Sequence, residues 1–101
     1  MTTIEKIVRV RVSGRVQGVG FRAFVARHAE ARGILGWVRN RSEGDVEAVF
    51  AGSEYAVTAL CQTCQQGPPR ARVERIDIHE ADRAALEEVG AADRFLQLST
   101  E

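Results

Sequence analysis

The sequence predicts an α+β fold, one antiparallel sheet carrying two helices on one face, and three observations support it. Val8, Val10 and Val12 alternate with Arg9, Arg11 and Ser13, the period of a strand buried on one side. Two later stretches, Phe21 to Arg32 and Val57 to Cys64, repeat apolar residues at helical spacing. Between them, two apolar runs are joined by Arg41-Ser42-Glu43-Gly44, which reads as a hairpin turn. A chain of 101 residues with this pattern suits a single domain, 1–101, burying about two-thirds of its unfolded surface.

Between the first strand and the first helix lies Gly14-Arg15-Val16-Gln17-Gly18-Val19-Gly20-Phe21-Arg22, with three glycines in seven residues. Such a backbone turns sharply and reaches positive φ without steric cost, so successive amides can converge on one point. That point suits an anion, since the loop ends where the positive pole of a helix begins. Arg22 adds a cationic fork. The loop lacks the Gly-Lys-[Ser/Thr] ending of a nucleoside-triphosphate loop. Its formal G-x-G-x-x-A match asks for more parallel strands than this chain offers. A tight strand-to-helix turn with no ligand is the competing reading.

In the first helix Phe21, Phe24, Val25, His28, Ala29 and Arg32 share a stripe, and Gly33 stops it. His28 falls on the core side and reads as a half-buried histidine rather than a catalytic one. Leu35 to Asn40 is the second strand and Asp45 to Ala51 the third, with Val46, Ala48 and Phe50 on one face and Glu47 and Val49 on the other. Ser53 is the expected N-cap of the second helix and Gly67-Pro68-Pro69 its stop. From Ala71 to His79 the apolar parity changes between Val73 and Ile76, which predicts a bulge near Glu74. Residues 80–92 admit a loop or a short helix. Phe95, Leu96 and Leu98 make a short last strand able to cover a sheet edge. The order β-α-β-β-α-β with a terminal strand is the ferredoxin-like layout, with the second sheet face left more open.

Fourteen Lys and Arg balance fourteen Asp and Glu, so the chain lacks the basic excess of a nucleic-acid binder. Met1 to Lys6 does not resemble a signal peptide, and no apolar run nears the ~20 residues of a membrane span. A cytoplasmic monomer is expected, with no nucleic-acid or membrane partner. Cys61 and Cys64 form a C-x-x-C, but a zinc site needs two more ligands at short spacing. They continue the Val57, Leu60 stripe, so buried thiols in a reducing compartment are the better reading.

Taken together, the loop, Gly36-Trp37-Val38-Arg39-Asn40, Gly44-Asp45-Val46-Glu47, and Gly67-Pro68 with Ala71 and Val73 resemble the acylphosphatase family in order and spacing, over roughly Val8 to Ile78. The resemblance implies a ferredoxin-like fold and hydrolysis of small acyl phosphates, without metal or organic cofactor. By similarity, the backbone of Arg15, Val16, Gln17, Gly18, Val19, Gly20 and Phe21 and the guanidinium of Arg22 hold the phosphoryl group, and Asn40 positions the attacking water. The chain departs from the pattern at Arg41, where some relatives carry a small hydroxyl residue, and in its longer 80–92 stretch.

The residue types suit that chemistry. Phosphoryl transfer with dissociative character asks the protein to hold the phosphate in line and neutralise its oxygens. Arginine binds two oxygens at once and stays charged. An amide does not titrate near neutrality, but it can orient a water. With no general acid or metal cluster beside the loop, a carboxylate is a better leaving group than an alkoxide. The alternative is a non-catalytic ferredoxin-like module binding an anion or RNA, which Gly20 to Val25 superficially suggest. Their helical period and the position of Arg22 fit that class poorly. A third reading, a domain of a larger carbamoyl-transfer or maturation enzyme, is disfavoured because nothing follows residue 101.

Overall fold

A computed structural model describes residues 3–91 and 93–101. The chain forms β1 (Lys6–Arg15), α1 (Phe21–Ala31), β2 (Leu35–Asn40), β3 (Val46–Gly52), α2 (Glu54–Gln66), β4 (Arg72–Glu80), α3 (Ala84–Glu87) and β5 (Phe95–Gln97). The strand order is β4-β1-β3-β2-β5. The first four strands pair antiparallel, as expected, whereas β5 runs parallel to β2 and makes the complete sheet mixed.

The alternation read in β1 becomes burial. Val8, Val10 and Val12 point into the main core with Val46, Ala48 and Phe50 of β3, beneath Phe21, Val25 and Ala29 of α1 and Val57, Leu60 and Cys64 of α2. Ser53 caps α2 as expected, its Oγ accepting from the Ala56 amide at 3.1 Å. Gly67 ends that helix at φ 67°, and Gly33 follows α1 in the same region. The predicted bulge falls at Glu74: Ser13 pairs with Arg75 and Gly14 with Val73, so Glu74 has no cross-strand partner.

The second sheet face is less open than expected. Trp37, Val49 and Ala51 form a separate cluster there with Ala85, Leu86 and Ala91, so the stretch after β4 is a short helix that roofs this face. The last residue of the ambiguous 80–92 stretch, Ala92, lies outside the described residues. Trp37 is fully buried, and its indole N–H donates to the Ala85 carbonyl at 2.8 Å. The guanidinium of Arg39 stacks on its ring 4.7 Å from the centroid. All seven residues of β3 are buried because both faces of this strand are covered.

Beside that roof sits Glu47, 7% exposed. It accepts from Arg9 at 2.8 Å, from Arg39 at 3.1 Å and from Arg41 at 3.3 Å. Burial by itself pushes its carboxyl up. Bonds from Arg9 and Arg39, with the charges of Arg39 and Arg41, more than offset this and hold it below the ordinary value.

Cys61 and Cys64 are buried, free thiols, as expected. Desolvation pushes them up to about 11 and about 12 respectively, which leaves them protonated and unreactive. His28 is half-buried and stacks on Phe24, ring centroids 4.5 Å apart. Burial and the nearby Arg32 and Arg27 hold it below the ordinary imidazole value.

Candidate active site

The glycine-rich loop connects the end of β1 to the start of α1, over the end of the sheet where β2 finishes. Gly18 and Gly20 adopt φ 74° and 80°, which L side chains rarely reach. A Cβ at either would meet nothing within 4 Å, so backbone shape rather than crowding calls for glycine, and both residues are exposed. Gly20 is the N-cap of α1, with no side-chain cap and no acidic residue in the first turn. Among the described residues the amides of 17–23 donate no backbone hydrogen bond. This helix start therefore keeps unspent donors beside its positive pole.

A cleft of about 150 Å³ opens at this point. Val16, Gly18, Gly20, Phe21, Arg22 and Asn40 line it. The loop residues come from the β1–α1 connection, Arg22 from the first turn of α1 and Asn40 from the last position of β2. Val16 and Phe21 are buried in the core, so their side chains anchor the loop. Arg22 is the one charged side chain on the cleft wall among the described residues.

Arg15, Gln17 and Val19 do not line this cleft. They face a neighbouring one, which Gly18 also lines. Gln17 has a bracing role that sequence reading missed: its Nε2 donates to the carbonyls of Arg41 at 2.8 Å and Asp45 at 2.9 Å. The loop is thereby tied to the hairpin immediately after Asn40. Arg41, the departure from the family pattern, spends its side chain on Glu47 and Glu101.

The last strand was expected at a sheet edge and forms there, but its contribution to the site was not foreseen. Beyond β5 the chain continues along β2, the Leu98 amide donating to Val38 at 2.8 Å and the Glu101 amide to the Asn40 carbonyl at 3.0 Å. Gln97 joins the cleft wall, and the Leu98 carbonyl accepts from Nη1 of Arg22 at 2.7 Å. No local signal could have found these contacts, because they depend on a parallel pairing across most of the chain. That single bond orients Arg22 while leaving its other N–H donors unspent. The Asn40 carboxamide makes no hydrogen bond among the described residues.

Such an arrangement can hold a small anion between unspent amides and a guanidinium, with an amide side chain alongside. Comparison with known proteins points the same way. The family model for acylphosphatase matches residues 8–90. The chain is 52% identical over 98 residues to an acylphosphatase of Rhodopseudomonas palustris (strain ATCC BAA-98 / CGA009), covering 95% of this chain and 97% of that one. Its structure is similar to the acylphosphatase from Bacillus subtilis, with a TM-score of 0.81 and 39% identity over 91% of this chain and 97% of that one. It is also similar to the acylphosphatase from Coxiella burnetii, with a TM-score of 0.81 and 35% identity over 97% of this chain and 100% of that one.

Proposed function

The chain belongs to the acylphosphatase family, enzymes that hydrolyse acyl phosphates, and on that premise we propose that the loop amides, Arg22 and Asn40 perform the reaction. One observation carries this reading: Arg22, Asn40 and the bare backbone at Gly18 and Gly20 line the same small cleft. The terminal PO₃ of R–CO–O–PO₃²⁻ sits on the loop, its oxygens taking N–H bonds from the amides and from the donors of Arg22 not used by Leu98. Asn40 accepts from and donates to a water and aims it at phosphorus, opposite the acyl oxygen.

As the P–O bond to the acyl group lengthens, negative charge remains on the equatorial oxygens and the fixed donors stabilise it. The bond electrons leave on the carboxylate, which needs no proton. The water oxygen becomes the fourth oxygen of phosphate, and a phosphate oxygen of the substrate takes its proton. Products are a carboxylate and inorganic phosphate. This scheme uses no metal, cofactor or titrating side chain, so activity in EDTA should equal that in its absence.

The same reading takes residues 1–101 as one domain working as a cytoplasmic monomer, with a small-molecule substrate and no nucleic-acid partner. The balanced charge supports the last point. Among the described residues no helix is long and apolar enough to cross a membrane. The test is hydrolysis of benzoyl phosphate beside p-nitrophenyl phosphate. Turnover of the first alone is expected; preference for the ester would reject the assignment.

A further inference from the structure

The cleft beside the phosphate loop has a volume of about 490 Å³, and three arginines, Arg15, Arg70 and Arg72, line it together with Gln17, Gly18 and Val19. Arg15 and Arg72 are directly opposite each other in the β1–β4 ladder, an arrangement of like charges that a sheet ordinarily avoids. Arg70 joins them from the turn that follows α2. Elsewhere on the sheet arginines are neutralised: Arg9 pairs with Glu47, Arg11 with Asp45 and Arg75 with Asp77. Among the described residues none of the three in the cleft has an ion pair or a side-chain hydrogen bond. The acid nearest in sequence, Glu74, sits in the bulge with its side chain against Gly14.

Gly18 belongs to the walls of both clefts. Because the shared residue is a glycine with no side chain, the acyl part of a substrate whose terminal phosphoryl group occupies the first cleft has a direction in which to extend toward the second. We propose that Arg15, Arg70 and Arg72 form a subsite for a second anionic group on the acyl part of the substrate, so that the enzyme prefers acyl phosphates carrying a carboxylate or a phosphoryl group at the far end. This rests on the loop holding the reacting phosphoryl group, as proposed above. The preference is electrostatic, acts mainly on capture of substrate, and shrinks as salt rises.

The test compares kcat/KM for three substrates of similar length: butyryl phosphate, succinyl phosphate and 3-phosphonopropionyl phosphate. The native enzyme is expected to favour the two charged ones, and the stronger of these identifies the anion. In Arg70→Glu and, separately, Arg72→Gln the charged-to-neutral ratio should fall, by about tenfold for the charge reversal, through KM rather than kcat. Both side chains are exposed, and circular dichroism checks folding. A ratio near one in the native enzyme, or one that both variants leave unchanged, overturns the subsite while leaving the catalytic reading intact. Absence of hydrolysis of all three overturns both. If a short RNA oligonucleotide binds the native protein but not Arg70→Glu, and the substrate ratio stays flat, the arginines belong to a polyanion site and the proposal falls.

Discussion

Replacing Arg22 by alanine should reduce hydrolysis of benzoyl phosphate by at least roughly a hundredfold while leaving the protein folded. The guanidinium has five N–H donors, and Nη1 is committed to the Leu98 carbonyl at 2.7 Å. Two of the remaining donors can reach phosphoryl oxygens as a fork, and each charge-assisted bond contributes about 1.5–3 kcal/mol. Even the lower bound, about 3 kcal/mol for the pair, corresponds to a factor above ~100 at 1.36 kcal/mol per decade. The structural cost is smaller. One bond from the charged donor to Leu98 is lost, about 1.5 kcal/mol at this part-buried site, which shifts Tm by ~6–12 °C in a domain of this size. Arg22→Lys keeps the charge without the fork and should fall between the two. The assay is the absorbance decrease on benzoyl phosphate hydrolysis, paired with far-ultraviolet circular dichroism. Full activity in a natively folded Arg22→Ala protein would refute the reasoning.

Three further outcomes follow from named contacts. Asn40→Ala should lose turnover by about 10²-fold or more yet retain competitive inhibition by inorganic phosphate; parallel loss of inhibition would make Asn40 an anion ligand instead. Glu47 ties stability to pH: its folded carboxyl lies below the ordinary value, so the unfolded chain binds the proton first. Its contribution is complete above the ordinary carboxylate range and is lost as pH falls through the lowered value. Urea midpoints taken between about pH 7 and about pH 3 should therefore decline less steeply in Glu47→Gln, and identical slopes would contradict the network. Gly67→Ala should cost about 2 kcal/mol or more, seen as a Tm lowered by roughly 8 °C or more, because an L residue is strained at φ 67° and its Cβ would lie 2.8 Å from Cε2 of Phe21. An unchanged melting temperature would mean that Phe21 yields freely.

Much of this was readable in advance, for reasons that differ from residue to residue. The Val8, Val10, Val12 alternation, the stripe through Cys61 and Cys64 and the Ser53 cap are local patterns whose period matches a backbone geometry, so they need no knowledge of neighbours. The bulge at Glu74 was legible because a parity change in a strand must be absorbed by an extra residue. Loop glycines adjoining Phe21 and Arg22 mark a turn into a helix, and with it a place for an anion. The roof over Trp37 was not legible. Its helix is four residues long, Ala84-Ala85-Leu86-Glu87, and too short to show a period.

By itself, then, the order of residues determined which of the longer segments are strands and helices, which face of each is apolar, and which loop has the backbone freedom to surround an anion. Periodicity and glycine placement are properties of neighbours along the chain, and a few residues suffice to express them. Tertiary structure alone decided what else surrounds that loop: Leu98 holding the guanidinium, Gln17 bracing the turn and Arg70 set near Arg15 and Arg72. Those contacts draw on segments far apart in the chain: the Leu98 bond needs β5 parallel to β2, the arginine cluster needs β4 paired with β1, and the Gln17 brace needs the β2–β3 hairpin beside the loop. No local pattern encodes a distance between segments, because it is the burial of the common core that brings them together.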